Sequence, residues 1–257
     1  MPLACLDGTV CDAAEARIPV TDEGLLRGDG VFEVMRLYGG RPFALDEHLA
    51  RMRGSAERLR LPLDLDAVRA DVDALLAAAS PGDARLRVLV TRGGHRVLLI
   101  EPHADPAPSI GLALVEFAPP RLLDQVKSLS YAANMLATRI AKERGFDEAL
   151  LVTPHGRILE GPTSSLFYVL EGRLYTPPLE DHILDSITRR HVMELTDAEE
   201  RVTARDDIAR MTEAFLASTT REVQAVHAIE DRELERGGPL TRDAAAKLRE
   251  RIAETLA

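Results

Sequence analysis

The 257-residue chain has no tryptophan, only 4% aromatic residues and just two cysteines. So few rings leave little for the stacking platforms that single-stranded nucleic acid requires. A net charge of −10 points the same way, against nucleic acid and against an anionic membrane as partners. No apolar run approaches the roughly 20 residues of a membrane span. The N-terminal stretch MPLACLDGTVCD also lacks a basic segment followed by an apolar core. Cys5 and Cys11 have neither metal-site spacing nor a histidine cluster nearby. They read as reduced structural residues of a cytoplasmic protein, with no metal expected. A small anionic ligand remains compatible with the charge, held by local arginines and backbone donors.

Lysine is the scarcest of the common charged residues. Of 32 Lys plus Arg, three are lysines: Lys127, Lys142 and Lys247. Lys142 lies in the polar run AKERG and Lys247 in the tail AAAKLRERI, where arginine would serve as well. Lys127 lies in QVKSLSYAANML, with apolar residues close by. An amine can lose its proton near neutral pH and attack a carbonyl, which a guanidinium cannot do. On this ground alone Lys127 is either an ordinary interface lysine or a nucleophile.

The hydrophobic fraction, 46%, is that of a globular protein, and the length suits one large domain or two ordinary ones. GVFEVMRLY, GG and RPFAL suggest a hairpin, and an amphipathic helix with an acidic first turn begins at Asp46. A second helix spans roughly Asp66 to Ala79. RLRVLVTRG and HRVLLIEP then read as strands around Gly93-Gly94, with IGLALVEF as a third. APP at 118–120 is the best linker. After it, SYAANMLATRIAKERG reads as a helix stopped by Gly145. EALLVTP with RILEG, and SLFYVL with RLYTPP, read as hairpins; ITRRHVMELT reads as a helix, EAFLAST as a strand, and the tail as a helix. The expectation is an α+β chain of two domains, 1–119 and 120–257.

Four separated segments carry the chemistry: RGDGVFEV with DEHLARM (27–52), KSLSYAANMLA (127–137), DEALLVTPHGRILEGPTSSLF (147–167), and TPPLEDHILDSITR with FLASTTREV (176–223). In this order and spacing the chain resembles the class IV aminotransferases, the fold-type IV pyridoxal-phosphate (PLP) enzymes. These include branched-chain and D-amino-acid aminotransferases, (R)-selective amine transaminases and 4-amino-4-deoxychorismate lyase. The resemblance covers about residues 20 to 230. It implies a small N-terminal α/β domain and a larger C-terminal PLP-binding domain, with the cofactor between them. It also implies a homodimer that takes an amino acid or amine and a 2-keto acid.

The resemblance assigns roles residue by residue. Lys127 falls on the Schiff-base lysine, which also shuttles the substrate proton. Glu160 falls on the carboxylate that pairs with the pyridinium nitrogen. Tyr131, one helical turn after Lys127 if that stretch is helical, falls on the tyrosine that meets the phenolic oxygen. Arg51 matches the phosphate arginine. Ile187 and Thr188 would offer helix N-terminal amides to the phosphate, and Thr219 and Thr220 match a second phosphate cluster. Two departures stand out: Ser165 replaces the usual Asn of E-G-x-x-x-N, and Ser186 replaces the Gly of G-I-T-R. Phe32 stands where D-amino-acid aminotransferases favour Tyr. Arg36, Arg92 and Arg96 are candidates for a substrate carboxylate, and His48 reads as serving the local fold. The implied activity is transamination; the alternative is the lyase, which expels pyruvate from aminodeoxychorismate by β-elimination.

Overall fold

The computed structural model describes residues 2–257. They form two compact units, each with its own sheet. The first comprises the chain up to Ala104 together with Val126–Tyr131. Its strands are β1 (Leu3–Leu6), β2 (Thr9–Asp12), β3 (Gly30–Tyr38), β4 (Arg41–Pro42), β5 (Ala84–Thr91) and β6 (Arg96–Pro102). They pair antiparallel in the order β2-β1-β6-β5-β3-β4. Alternation in β5 turns Leu86, Val88 and Val90 into the core and leaves Arg85, Arg87 and Leu89 on the other face. Helices α1 (Glu23–Arg27), α2 (Leu45–Arg58) and α3 (Leu65–Ala79) complete the unit. Leu49 and Met52 of α2 and Val68, Val72 and Leu75 of α3 share a core with Met35 and Leu37 of β3. Asp64 caps α3 by accepting from the Ala67 amide at 3.0 Å, a contact of a kind that contributes about 1 kcal/mol.

The second unit comprises Asp105–Gln125 and Ala132–Thr255. Its strands are β7 (Ser109–Glu116), β8 (Glu148–Val152), β9 (Ser165–Leu170), β10 (Arg173–Thr176), β11 (Glu199–Glu200), β12 (Glu213–Ser218), β13 (Glu222–Ile229) and β14 (Arg232–Glu233). They run in the order β11-β10-β9-β12-β13-β7-β8, with β14 on β13. Helices α4 (Ala132–Glu143), α5 (Ile187–Leu195) and α6 (Pro239–Thr255) belong to this unit. Phe167 and Phe215, opposite each other on β9 and β12, stack at 4.9 Å.

Several expectations shift. The units do not divide at 119/120: β7 was expected as a third N-terminal strand, but it lies parallel to both β13 and β8 in the second sheet. Residues 126–131 return to the first unit, where Ser128 bridges Val31 of β3. The helix expected from Ser130 begins only at Ala132, so Lys127 and Tyr131 are not one helical turn apart. β4 is two residues long because Leu45 already opens α2. The hairpin of EALLVTP and RILEG does form, with the Leu151 amide donating to the Glu160 carbonyl and the Leu159 amide to that of Leu151, both at 2.9 Å. Cys5 pairs with Val10 and Cys11 with Ala4, which puts the two thiols on opposite faces of the first hairpin. Both cysteines are free.

Candidate active site

In the first unit, strand β3 and the segment 126–131 assemble the lysine. The Phe32 amide donates to the Lys127 carbonyl at 3.1 Å, and the Leu129 amide donates to that of Gly30 at 2.9 Å. Gly30 has to be glycine: a β-carbon there would sit 2.5 Å from the Val90 carbonyl oxygen. On the other side the Lys127 amide donates to Ser55 Oγ of α2 at 3.1 Å. The backbone is thus fixed from two directions. Lys127 Nζ then lies 4.3 Å from the centre of the Phe32 ring and 5.5 Å from that of Tyr131. The two rings meet edge to face at 5.2 Å. Phe32 and Tyr131 therefore stand beside the lysine, though a turned extended segment, not a helix, brings Tyr131 there.

Arg51 lies one turn before Ser55 on α2, and its guanidinium forks onto Glu33. Nε donates to Oε1 at 2.7 Å and Nη2 to Oε2 at 2.6 Å. His48 Nδ1 meets the same carboxylate at 2.8 Å, and Glu33 and His48 are both fully buried. Burial alone would raise the Glu33 pKa, but the Arg51 charge and the hydrogen bonds from Arg51 and His48 outweigh it and hold it near 2. Burial pushes His48 below its ordinary value, aided by the cations of Arg51 and Lys127 and opposed by Glu33. At neutral pH His48 is therefore uncharged, with its proton on Nδ1 donated to Glu33. Glu33 was not singled out from sequence, although a signal existed. It falls on the core face of β3 between Val31 and Met35, and a buried acid requires a partner.

In the second unit, hydrogen bonds order the loops that carry the other expected residues. Glu160 ends its hairpin next to Gly161, whose amide donates to the Ser164 carbonyl at 2.8 Å. A β-carbon at Gly161 would meet Ser164 Oγ at 2.6 Å, which explains the EG pair. Glu160 Oε1 accepts from the Leu184 amide at 3.1 Å, three residues before Ile187 opens α5. Ser186 caps α5, its Oγ accepting from the Arg189 amide at 3.4 Å, so serine suits this position as a helix cap. The Ile187 and Thr188 amides precede the first intrahelical bond, from Arg190 to Ser186. Thr219 and Thr220 lie with Arg221 in the turn between β12 and β13. Ser218 Oγ just before that turn, and Ser165 Oγ at the start of β9, are buried without a hydrogen-bond partner among the described residues.

Two of the three arginines expected to meet a substrate carboxylate are employed elsewhere. Arg92 donates to both Asp29 carboxylate oxygens and to the Leu59 and Arg60 carbonyls, closing the C-terminus of α2. Arg96 Nε donates to Asp71 Oδ2 of α3 at 2.7 Å. Arg36 is buried with its guanidinium 4.6 Å from the Tyr38 ring centre, on the same face of β3 as Phe32.

Residues 30–229 match the family model described as Amino-transferase class IV. The chain belongs to the class IV aminotransferases, a family of PLP-dependent enzymes. It is 33% identical over 254 residues to a putative branched-chain-amino-acid aminotransferase of Methanocaldococcus jannaschii, covering 88% of each chain. It is 28% identical over 273 residues to a D-alanine aminotransferase of Bacillus licheniformis, covering 96% of this chain and 95% of that one. Among solved structures, the branched-chain aminotransferase of Thermoproteus uzoniensis with norvaline superposes with a TM-score of 0.90 at 26% identity, over 98% of this chain and 95% of that one. A PLP-bound hypothetical aminotransferase of Mycobacterium tuberculosis gives a TM-score of 0.88 at 25% identity, covering 99% of both.

Proposed function

We propose that the chain moves an amino group between an amino acid (or amine) and a 2-keto acid, with PLP attached at Lys127. The observation that carries this reading is the placement of Lys127. Its amine faces two aromatic rings, and its backbone is clamped between β3 and α2. Each unit by itself carries donors of the kind the cofactor needs: in the first a guanidinium at Arg51, and in the second open amides at Ile187 and Thr188, hydroxyls at Thr219 and Thr220, and a carboxylate at Glu160 suited to a ring nitrogen. The orphaned, buried Ser218 Oγ beside that turn adds a polar atom suited to an anion. When bound, PLP supplies a carbonyl carbon for the amine and a ring that takes up the electrons of the broken Cα–H bond.

The protein's own residues do the rest. Lys127 accepts the Cα proton and returns it, so it must be neutral when it acts. Glu160 keeps a proton on the ring nitrogen. Tyr131 donates a hydrogen bond beside the lysine, and Phe32 walls the site. Arg36, buried on the same face of β3 as Phe32, is the arginine offered to a substrate carboxylate. The exposed Leu25, Leu26 and Leu122 supply apolar surface for the homodimer the reading implies. Free cysteines suit the reducing cytoplasm.

The test is the visible spectrum of the PLP-loaded chain as D-alanine, L-leucine, L-glutamate or an (R)-amine is added singly. Bleaching by one donor, with release of its keto product, establishes transamination and its handedness together. A band that no donor bleaches, with pyruvate released from aminodeoxychorismate, would replace this reading with the lyase.

A further inference from the structure

Glu148 opens β8 and is buried, with 5% of its surface exposed. Its Oε2 accepts from Arg221 Nη2 at 2.6 Å. Its Oε1 accepts from Thr138 Oγ1 of α4 at 2.6 Å and from the Ala149 amide at 3.1 Å. Arg221 Nη2 also reaches Thr163 Oγ1 at 3.3 Å. Arg221 directly follows Thr220, and Thr163 lies three residues after Glu160. One guanidinium therefore ties the Thr219–Thr220 turn to the Glu160 loop, and one carboxylate ties both to α4 and β8.

We propose that Arg221 and Glu148 are positioning residues: they hold the Thr219–Thr220 turn in the geometry that grips the cofactor phosphate, and so set cofactor retention. The proposal rests on the reading of that turn as a phosphate cradle. The three-residue turn 219–221 between β12 and β13 presents two short hydroxyl side chains, and they point correctly only if the turn is fixed. The Arg221 backbone helps little, since its one turn bond is a 3.2 Å contact to the Ser218 carbonyl. The side chain does more, because it anchors to a buried carboxylate that is itself fixed on two other sides. Both contacts are made by the one nitrogen Nη2, and a lysine side chain ends one bond short of that position, so its ammonium does not reach Glu148 and Thr163 equally well.

The experiment compares PLP with pyridoxal, which has the same ring and aldehyde but no phosphate. Apo wild type, Arg221→Lys, Arg221→Ala, Glu148→Gln and Thr163→Val are titrated with each ligand by visible absorbance, and apo melting temperatures are recorded. Loosening the turn is expected to weaken PLP by about tenfold or more in Arg221→Ala and Glu148→Gln, as a displaced contact group does. Arg221→Lys falls between, and Thr163→Val loses about twofold to threefold on the same scale. Pyridoxal affinity stays within about twofold throughout, and turnover at saturating PLP stays close to wild type. Equal loss of PLP and pyridoxal, or unchanged PLP affinity in the folded Arg221→Lys and Glu148→Gln proteins, overturns the proposal. If wild type itself takes up neither ligand, the cofactor reading fails first, and the two failures are thereby told apart.

Discussion

Each unit buries a glutamate against an arginine, and the two are built differently. Glu33 in the first unit is fully enclosed and spends both oxygens on one arginine fork and one histidine, all on β3 and α2. Glu148 in the second unit divides its oxygens among α4, its own strand and the turn after β12. The first arrangement concentrates charge beside Lys127: a carboxylate held near 2, a fixed guanidinium, and a histidine kept neutral. The second distributes one charge over several segments. A concentrated cluster sets the electrostatics at a point, whereas a distributed one sets the relative placement of loops. Both occur where the resemblance puts cofactor contacts.

The comparison can be broken from the largest effect downward. Lys127→Ala is expected to reduce turnover by about a thousandfold or more while the melting curve is retained, because it removes nucleophile and proton shuttle together. Glu33→Gln leaves the Arg51 charge enclosed without its counter-ion and is expected to destabilise the fold by about 3–5 kcal/mol in denaturant titrations. Glu148→Gln keeps a hydrogen-bonding amide in a cluster that reaches the surface through Arg221, and about 1–2 kcal/mol is expected from it. If the two glutamines cost the same, the contrast between concentrated and distributed clusters is lost.

Acid dependence sharpens it further. The folded pKa of Glu33, near 2, lies below its ordinary value of 4.5. Its contribution is complete above the ordinary value and is lost as pH falls through 4.5 toward 2. His48 is also depressed, below 6.5, so the unfolded chain takes up a proton below that pH before the folded chain does. Stability therefore declines from about pH 6.5 downward, with the Glu33 loss following at lower pH. His48→Gln is expected to flatten the upper part of that profile, measured as melting temperature against pH. An unchanged profile would mean that the imidazole takes up its proton equally in both states. The smallest effect belongs to Arg92→Ala, expected to cost about 1 kcal/mol with KM unchanged, because its half-exposed donors close α2. A large rise in KM there would restore it to the substrate site.

Local signals were readable in advance and long-range pairing was not. The acidic turn of α2, the hairpin of β5 and β6, and the helix over ITRRHVMEL are short-range patterns, and all formed. β7 follows β6 in the sequence yet belongs to the second unit, because its partners, β8 and β13, are parallel and far along the chain, and parallel pairing leaves no turn to read. SYAANML carries a helical pattern, but Ser128 bridges to β3 and holds the first residues extended, so tertiary pairing overrode propensity there. Arg92 and Arg96 looked available because their aspartate partners, Asp29 and Asp71, lie 63 and 25 residues away. Lys127 was conspicuous for a simpler reason, since arginine has replaced lysine almost everywhere else.

That scarcity makes the decisive measurement clean. The PLP-loaded chain is reduced with borohydride, digested, and the cofactor mass located by mass spectrometry. The label is predicted on the peptide holding Lys127 and on no other. A label on Lys142 or Lys247, or none on any lysine, would contradict the assignment on which the site is built.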